Sequence, residues 1–219
     1  MTKTLLDKIN SGREYRSLTL EAKEAEDDKE SYIVEGYATT FNEAYTLFED
    51  DEMKFVESVS PEAFSSCDMS DVIFQYDHEG RVFARLSNNT LRLEVDQHGL
   101  KVTADLGGTE AGRQLYEEIR GGYTNKMSFG FTVAEDEETT AETEAKTLVA
   151  RVIKKIGKLY DVSAVSLPAN DGTEISARSY CKGVIMKRQS ERTLKADINN
   201  IELRLRYIKA LQLELAMKN

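Results

Sequence analysis

The 219-residue chain has no Trp, two Pro, two Cys and two His. Each shortage excludes something. Cys67 and Cys181 stand far apart and form no CxxC spacing. That argues against a zinc site built on Cys and against a disulfide framework. Neither Cys has a neighbouring His, so a Cys nucleophile is disfavoured. Residues Met1 to Arg16 lack the compact apolar core and small-residue cleavage site of a signal peptide. A reducing cytoplasm and two free thiols are the expected setting. No run approaches the roughly 18 apolar residues of a membrane helix, so no membrane partner is expected. Basic residues are also in short supply, 29 Lys and Arg against 39 Asp and Glu, for a net charge of −10. A chain this acidic is a poor generic nucleic-acid binder, because phosphate binding relies on clustered Lys and Arg.

At 40% hydrophobic and 31% charged residues, the composition is that of a soluble globular protein. The length suffices for one domain, or one domain with an appendage. The charge divides unevenly. From Lys182 to Asn219 nine basic residues face four acidic ones, or +5, leaving twenty basic against thirty-five acidic, or −15. Such asymmetry suggests a body and an appendage with separate jobs. A solvated basic helix packing on the acidic body fits this tail as well as a partner-binding segment does.

Residues 1–30 are polar, with an acidic run from Glu21 to Glu30 and some β alternation over Tyr15 to Leu20. Ser31 to Phe41 reads as a strand, with Gly36 marking a bulge or close backbone approach. Residues 42–54 read as an acidic loop. Phe55 to Val59 reads as a short strand, followed by a helical turn with Ser60 at the N-cap and Pro61 at the first position. Val72 to His78 is a further strand, in which alternation puts His78 on one face with Val72, Phe74 and Tyr76. Thr90–Val95 and Gly99–Leu106 flank a turn and predict a hairpin, with Gly99 near the position that needs positive φ. Thr109 caps a predicted helix that carries Ala111, Leu115 and Ile119 on one face and ends at Gly121-Gly122.

In Lys126 to Val133 the residues Met127, Phe129, Phe131 and Val133 form an apolar face, while Ser128, Gly130 and Thr132 form a small, open one. Ala134 to Thr147 reads as a solvated or disordered acidic insertion. Leu148–Ile156 and Lys158–Leu167 read as a strand pair broken at Gly157 and stopped by Pro168 to Gly172. From about Arg188 the pattern turns helical, with Ile198, Ile201, Leu205, Ile208 and Leu215 at three- and four-residue steps.

With two histidines, a His-dependent mechanism has little choice. His98 sits in a hairpin turn, where backbone reasons suffice to explain a polar residue. His78 ends an apolar strand at Asp77-His78-Glu79-Gly80, where a strand gives way to a loop and reactive groups commonly sit. A structural histidine fits that place too. Ser128 shares its strand face with Gly130, which leaves space for a carbonyl, and a nucleophilic Ser needs that space and a base. On spacing alone an ordinary solvent-facing strand Ser fits equally. Asp161 lies in a β-prone run, where an acid needs solvent or a partner, and a His in need of orientation is one such partner.

The quoted stretches EGYATTFN (35–42), VESVSPEAF (56–64), FQYDHEGR (74–81), TLRLEVDQHGLKVTADL (90–106), GRQLYEEIRGGYTNKMSFGF (112–131) and LYDVSAVSLPAN (159–170) occur in this order. Together they resemble the prohead (capsid maturation) proteases of tailed bacteriophages, distant fold relatives of the herpesvirus assemblins. The resemblance spans about Tyr32 to Arg178. It implies an α+β fold with a mostly antiparallel β-barrel core and surrounding helices, and the C-terminal amphipathic helix read from its periodicity adds to this outside the family region. The implied organisation is a polar segment 1–30, a protease domain 31–180 and a basic helical tail 181–219.

The resemblance also implies a serine endopeptidase with Ser128 as nucleophile, His78 as general base and Asp161 as the acid that orients it. The family usually carries Glu where Asp161 stands, and Asn or Gln where Asp77 stands. No cofactor or metal is implied. The implied partners are the major capsid protein, scaffold segments and the chain itself, and the implied place is the assembling procapsid in the host cytoplasm. The tail would tether the enzyme there by helix-in-groove or coiled-coil pairing. A non-catalytic or fused capsid-assembly scaffold that keeps the protease fold is the alternative.

Overall fold

Val, Thr, Phe and Tyr recur at two-residue steps through the body of the chain, and these stretches form ten strands. They are β1 (Glu14–Ala22), β2 (Ile33–Thr40), β3 (Tyr45–Glu49), β4 (Met53–Val59), β5 (Ile73–Tyr76), β6 (Glu79–Arg85), β7 (Leu91–Val95), β8 (Gly99–Asp105), β9 (Lys126–Glu142) and β10 (Thr147–Val165). The α-helix α1 (Glu110–Arg120) joins β8 to β9. The computed structural model describes residues 12–23, 31–143, 146–166, 183–187, 190, 192–195 and 197–209. Residues 1–11, most of the acidic run 21–30, the Pro168–Gly172 stop and Cys181 lie outside them. The chain divides into two compact units, Met1–Ala177 and Arg178–Asn219.

The first unit is mostly β. Its strands follow the order β3-β4-β10-β9-β1-β2-β8-β7, with β5 added to β10 and β6 to β5. The expected barrel is not hydrogen-bonded shut. Among the described residues no ladder joins β3 to β7, and each of these end strands pairs on one side only. The nearest approach to closure is the single bridge Phe41–Val59, beside which Asn42 N–H donates to the Val59 carbonyl at 3.0 Å.

β10 organises the sheet. It runs parallel to β4 over residues 147–153, parallel to β5 over 161–164, and antiparallel to β9 along its whole length. The break read at Gly157 is absent, because register irregularities between Ile153 and Asp161 absorb it within one strand. The acidic stretch after Ala134 is no loop either. It completes β9 and lies against the basic part of β10, with ion pairs Glu135–Lys155 (2.6 Å), Asp136–Arg151 (2.5 Å) and Glu137–Lys154 (3.3 Å). Opposite charges across neighbouring strands favour that pairing. The acidic loop read at 42–54 is likewise the hairpin β3–β4. Its turn is held by Asp50 Oδ1, which accepts the N–H groups of Glu52 and Met53.

Met127, Phe129 and Phe131 are fully buried as the alternation requires, and the two Phe rings stack with centroids 4.6 Å apart. Gly36 and Gly99 are required by close backbone approach. A Cβ on Gly99 would lie 1.9 Å from the Thr39 carbonyl oxygen. That contact, and not positive φ, explains the Gly of the β7–β8 turn. Thr109 Oγ1 accepts the Gly112 N–H at 3.0 Å, which caps α1 as its sequence predicts. Gly112, Leu115, Tyr116 and Ile119 form its buried face, so that Gly112 takes the place expected for Ala111. Ser60 stands at the start of a 3-10 turn (Pro61–Phe64), but its hydroxyl donates to the Glu62 carboxylate at 2.5 Å instead of capping the backbone.

Beside the apolar core lies a buried ionic cluster. Glu57, fully buried, accepts from Arg16 at 2.6 and 2.8 Å, from Arg151 at 3.0 Å and from the Tyr45 hydroxyl at 2.6 Å. Burial works against the Arg16 charge, yet Glu57 and its neighbours outweigh it and hold the guanidinium above its ordinary pKa. The second unit carries helical residues between 183 and 209. Among the described residues no helix is long and apolar enough to cross a membrane.

Candidate active site

The site starts at the two-residue turn between β5 and β6. Tyr76 pairs with Glu79, and Asp77 and His78 between them have φ of +49° and +60°. Two consecutive positive φ values are the mark of a type I′ hairpin, whose hand suits twisted strands. A left-handed His is uncommon and costs of order 1 kcal/mol unless its surroundings enforce it. Here they do. Asp77 N–H donates to the Ala164 carbonyl at 2.9 Å, and the Asp77 carboxylate accepts from Ser166 N–H at 2.9 Å and from its hydroxyl at 3.0 Å. The residue before His78 thus clasps the turn to the end of β10.

That turn overturns the strand alternation read for His78. Asp161 pairs in register with Ile73 of β5 and Gly130 of β9. Its side chain therefore shares the face of Ile73 and Gln75, opposite the buried Phe74. His78 Nδ1 meets Asp161 Oδ2 on that face, with both residues nearly fully buried.

Three further groups complete the surroundings. Ser163, two residues beyond Asp161 and so on its face, donates to Asp161 Oδ2 at 3.1 Å. The Tyr15 ring stands edge-on to His78 with centroids 4.3 Å apart. Burial and the Asp161 charge push the Tyr15 hydroxyl up to about 12. Arg13 lies 4.0 Å from Asp161 Oδ1, its guanidinium 3.6 Å above the Tyr160 ring. Gly130 makes the arrangement possible, since a Cβ there would lie 2.7 Å from both Asp161 Oδ1 and Tyr15 Cε1.

Ser128 stands two residues before Gly130 and pairs in register with Ser163. It therefore shares the face of Asp161. The face read as open is covered: Ser128 is fully buried, and its Oγ makes no hydrogen bond among the described residues. Three groups far apart in sequence thus share one face: a hydroxyl from β9, a carboxylate from β10 and an imidazole from the β5–β6 turn. A carboxylate on Nδ1 orients the ring and leaves Nε2 as the nitrogen that takes up a proton.

Residues 17–195 match the family model of the caudovirus prohead serine proteases. The chain belongs to that family. Prohead proteases are serine peptidases of capsid maturation, so this one acts on capsid components inside the assembling procapsid of the host cell. Comparison with curated proteins and with solved structures yields no match.

The second histidine stays apart from this cluster. His98 lies in the β7–β8 turn, edge-on to Tyr37 with centroids 4.5 Å apart. Burial pushes the half-buried Cys67 thiol of the prohead protease up to about 11, which keeps it protonated at neutral pH. Tyr15 and Ser163 escaped the sequence reading. Ser163 carried a usable signal, its two-residue spacing from Asp161 on a strand. Tyr15 carried none, because only the β1–β9 register brings it opposite Gly130.

Proposed function

We propose that this prohead protease is a serine endopeptidase in which Ser128 is the nucleophile, His78 the general base and Asp161 the carboxylate that orients His78. The observation that supports this most is the contact of His78 Nδ1 with Asp161 Oδ2, on the sheet face that also carries Ser128. His78 Nε2 takes the Ser128 Oγ proton as Oγ attacks the scissile carbonyl carbon. The C–N bond then breaks, His78 returns the proton to the leaving amine, and an acyl-enzyme remains on Ser128. A water molecule, deprotonated by His78, hydrolyses the ester and regenerates Ser128. Because Ser128 Oγ is buried, substrate entry requires side chains over the site to move, and Tyr15 packs against both His78 and the Gly130 backbone.

The substrates in this reading are scaffold segments, the N-terminal region of the major capsid protein, or both, together with the chain itself. The test is co-expression of the capsid protein with wild-type, Ser128→Ala or His78→Ala chains. Loss of processing by about 10⁶-fold is expected for either variant. Mass spectrometry should find self-cleavage products in the wild-type chain and none in Ser128→Ala. Processing by Ser128→Ala at the wild-type rate would refute Ser128 as the nucleophile, and no processing by the wild-type chain would identify a non-catalytic relative.

A further inference from the structure

The helix of the second unit bears side chains that water should not see. Leu194, Ile198, Ile201, Leu205 and Ile208 are all exposed, at 61%, 47%, 57%, 60% and 51%. They follow one another at steps of four, three, four and three residues, which is a heptad seam with Ile198 and Leu205 at a positions and Leu194, Ile201 and Ile208 at d positions. A helix of this kind gains most of its stability from covering such a stripe. Leu203 and Tyr207 are exposed too, but the same numbering puts them at f and c, outside the seam.

The flanking charges select the occupant and its direction. Heptad numbering puts Lys195, Glu202 and Lys209 at e and Asp197 and Arg204 at g. In a parallel pair of identical helices each g residue meets the e residue five positions on. That opposes Asp197 to Glu202 and Arg204 to Lys209, like against like at every pair. In an antiparallel pair e meets e and g meets g. Side chains lean toward their own N-terminus, so Glu202 of each copy converges on Lys209 of the other. Arg204 facing its counterpart across the two-fold is the one repulsive pair left. In the same register Ile198 packs on Ile208, and Ile201 on Leu205, each twice. The result is four fully apolar layers.

We propose that this helix pairs with the same helix of a second copy as an antiparallel two-stranded coiled coil centred near Leu203. The tail thereby dimerises the protease, independently of the chemistry at Ser128. A dimer doubles the number of sites delivered to an assembling shell with each incorporated particle.

The experiment uses the full chain with Ser128→Ala, which keeps the chain intact, and with Cys67→Ala and Cys181→Ala. Sedimentation equilibrium at tens of micromolar should give twice the chain mass of 24.7 kDa. Ile201→Asp with Leu205→Asp should halve the mass, with the β signature of the circular dichroism spectrum retained. A wild-type chain of single mass overturns the proposal, as does a dimer that survives the double substitution. A mass of four chains overturns the two-stranded seam, and dimers that form only when an acidic helical scaffold segment is added overturn self-pairing. Direction is read by mild oxidation. Ile198→Cys with Ile208→Cys should form covalent dimers, whereas Ile198→Cys alone should not. Crosslinking of the single variant establishes the parallel arrangement and refutes the register.

Discussion

Gly130→Ala is the sharpest test of how the site is built. The added methyl would lie 2.7 Å from Asp161 Oδ1, 2.7 Å from Tyr15 Cε1 and 3.3 Å from Tyr15 Cδ1. Ordinary contact begins near 3.4 Å, so each closest neighbour must retreat by about 0.7 Å. Neither is the loose end of a long side chain. Asp161 is 1% exposed and bound to His78 and Ser163, and Tyr15 is 4% exposed and wedged against the His78 ring. Over-packing of this size costs a fold about 1–3 kcal/mol. The same displacement carries His78 out of line with Ser128, and a misplacement of about 1 Å at a reacting group costs about 100-fold in rate. Gly130→Ala should therefore fold, melt a few degrees lower, and acylate Ser128 about 100-fold more slowly. A fluorescent fluorophosphonate read by gel measures the acylation. Gly157→Ala is the matched control, since the nearest atoms to a Cβ there lie at 3.5–3.6 Å, ordinary contact. Full acylation rate in a folded Gly130→Ala chain would refute the reasoning.

Asp161→Asn should leave the fold intact and reduce capsid-protein processing about 100-fold less than Ser128→Ala does, since an orienting acid commonly contributes less than the nucleophile. Equal losses in the two variants would count against the orienting role. Arg16→Ala removes the two shortest guanidinium contacts to the fully buried Glu57 while Arg151 and Tyr45 remain. A loss of about 3 kcal/mol in urea unfolding is expected, at the low end for a broken buried pair, and a loss below about 1 kcal/mol would show the cluster to be dispensable. Burial works to raise the Glu14 carboxyl, but its hydrogen bond to Arg151 and the charges of Arg16 and Arg151 hold it below its ordinary 4.5. Its contribution to stability is therefore complete above pH 4.5 and falls away as the pH drops through the lower folded value. Urea midpoints between pH 7 and pH 3 should decline less in Glu14→Gln than in wild type, and identical declines would contradict this.

Much of the architecture was legible from local pattern. Met127, Phe129 and Phe131 alternate with small residues and are buried as expected. The hairpin β7–β8 follows its alternation, and α1 begins at its Thr109 cap and ends at paired glycines. Each of these depends on residues within a few positions of one another. Two of the misreadings share one cause. The acidic residues 135–142 look like a solvated loop until the basic stretch of β10 is laid beside them. Residues 45–49 likewise become a strand only because β4 is there to pair with them.

The sequence alone determined the chemistry-bearing residue types, the family resemblance, the face that Ser128 shares with Gly130, and the charge contrast between body and tail. Tertiary structure decided how those faces meet. It inverts His78 through a positive-φ turn clasped by Asp77 and Ser166, and sets the ring on a carboxylate 83 positions away. It brings Tyr15 of β1 and Ser163 of β10 against that pair, and Tyr15 and Asp161 fill the space that Gly130 had promised to substrate. The physical reason is that side-chain periodicity is a property of one strand, whereas register belongs to two. A site built across β1, β5, β9 and β10 exists only once those registers are set.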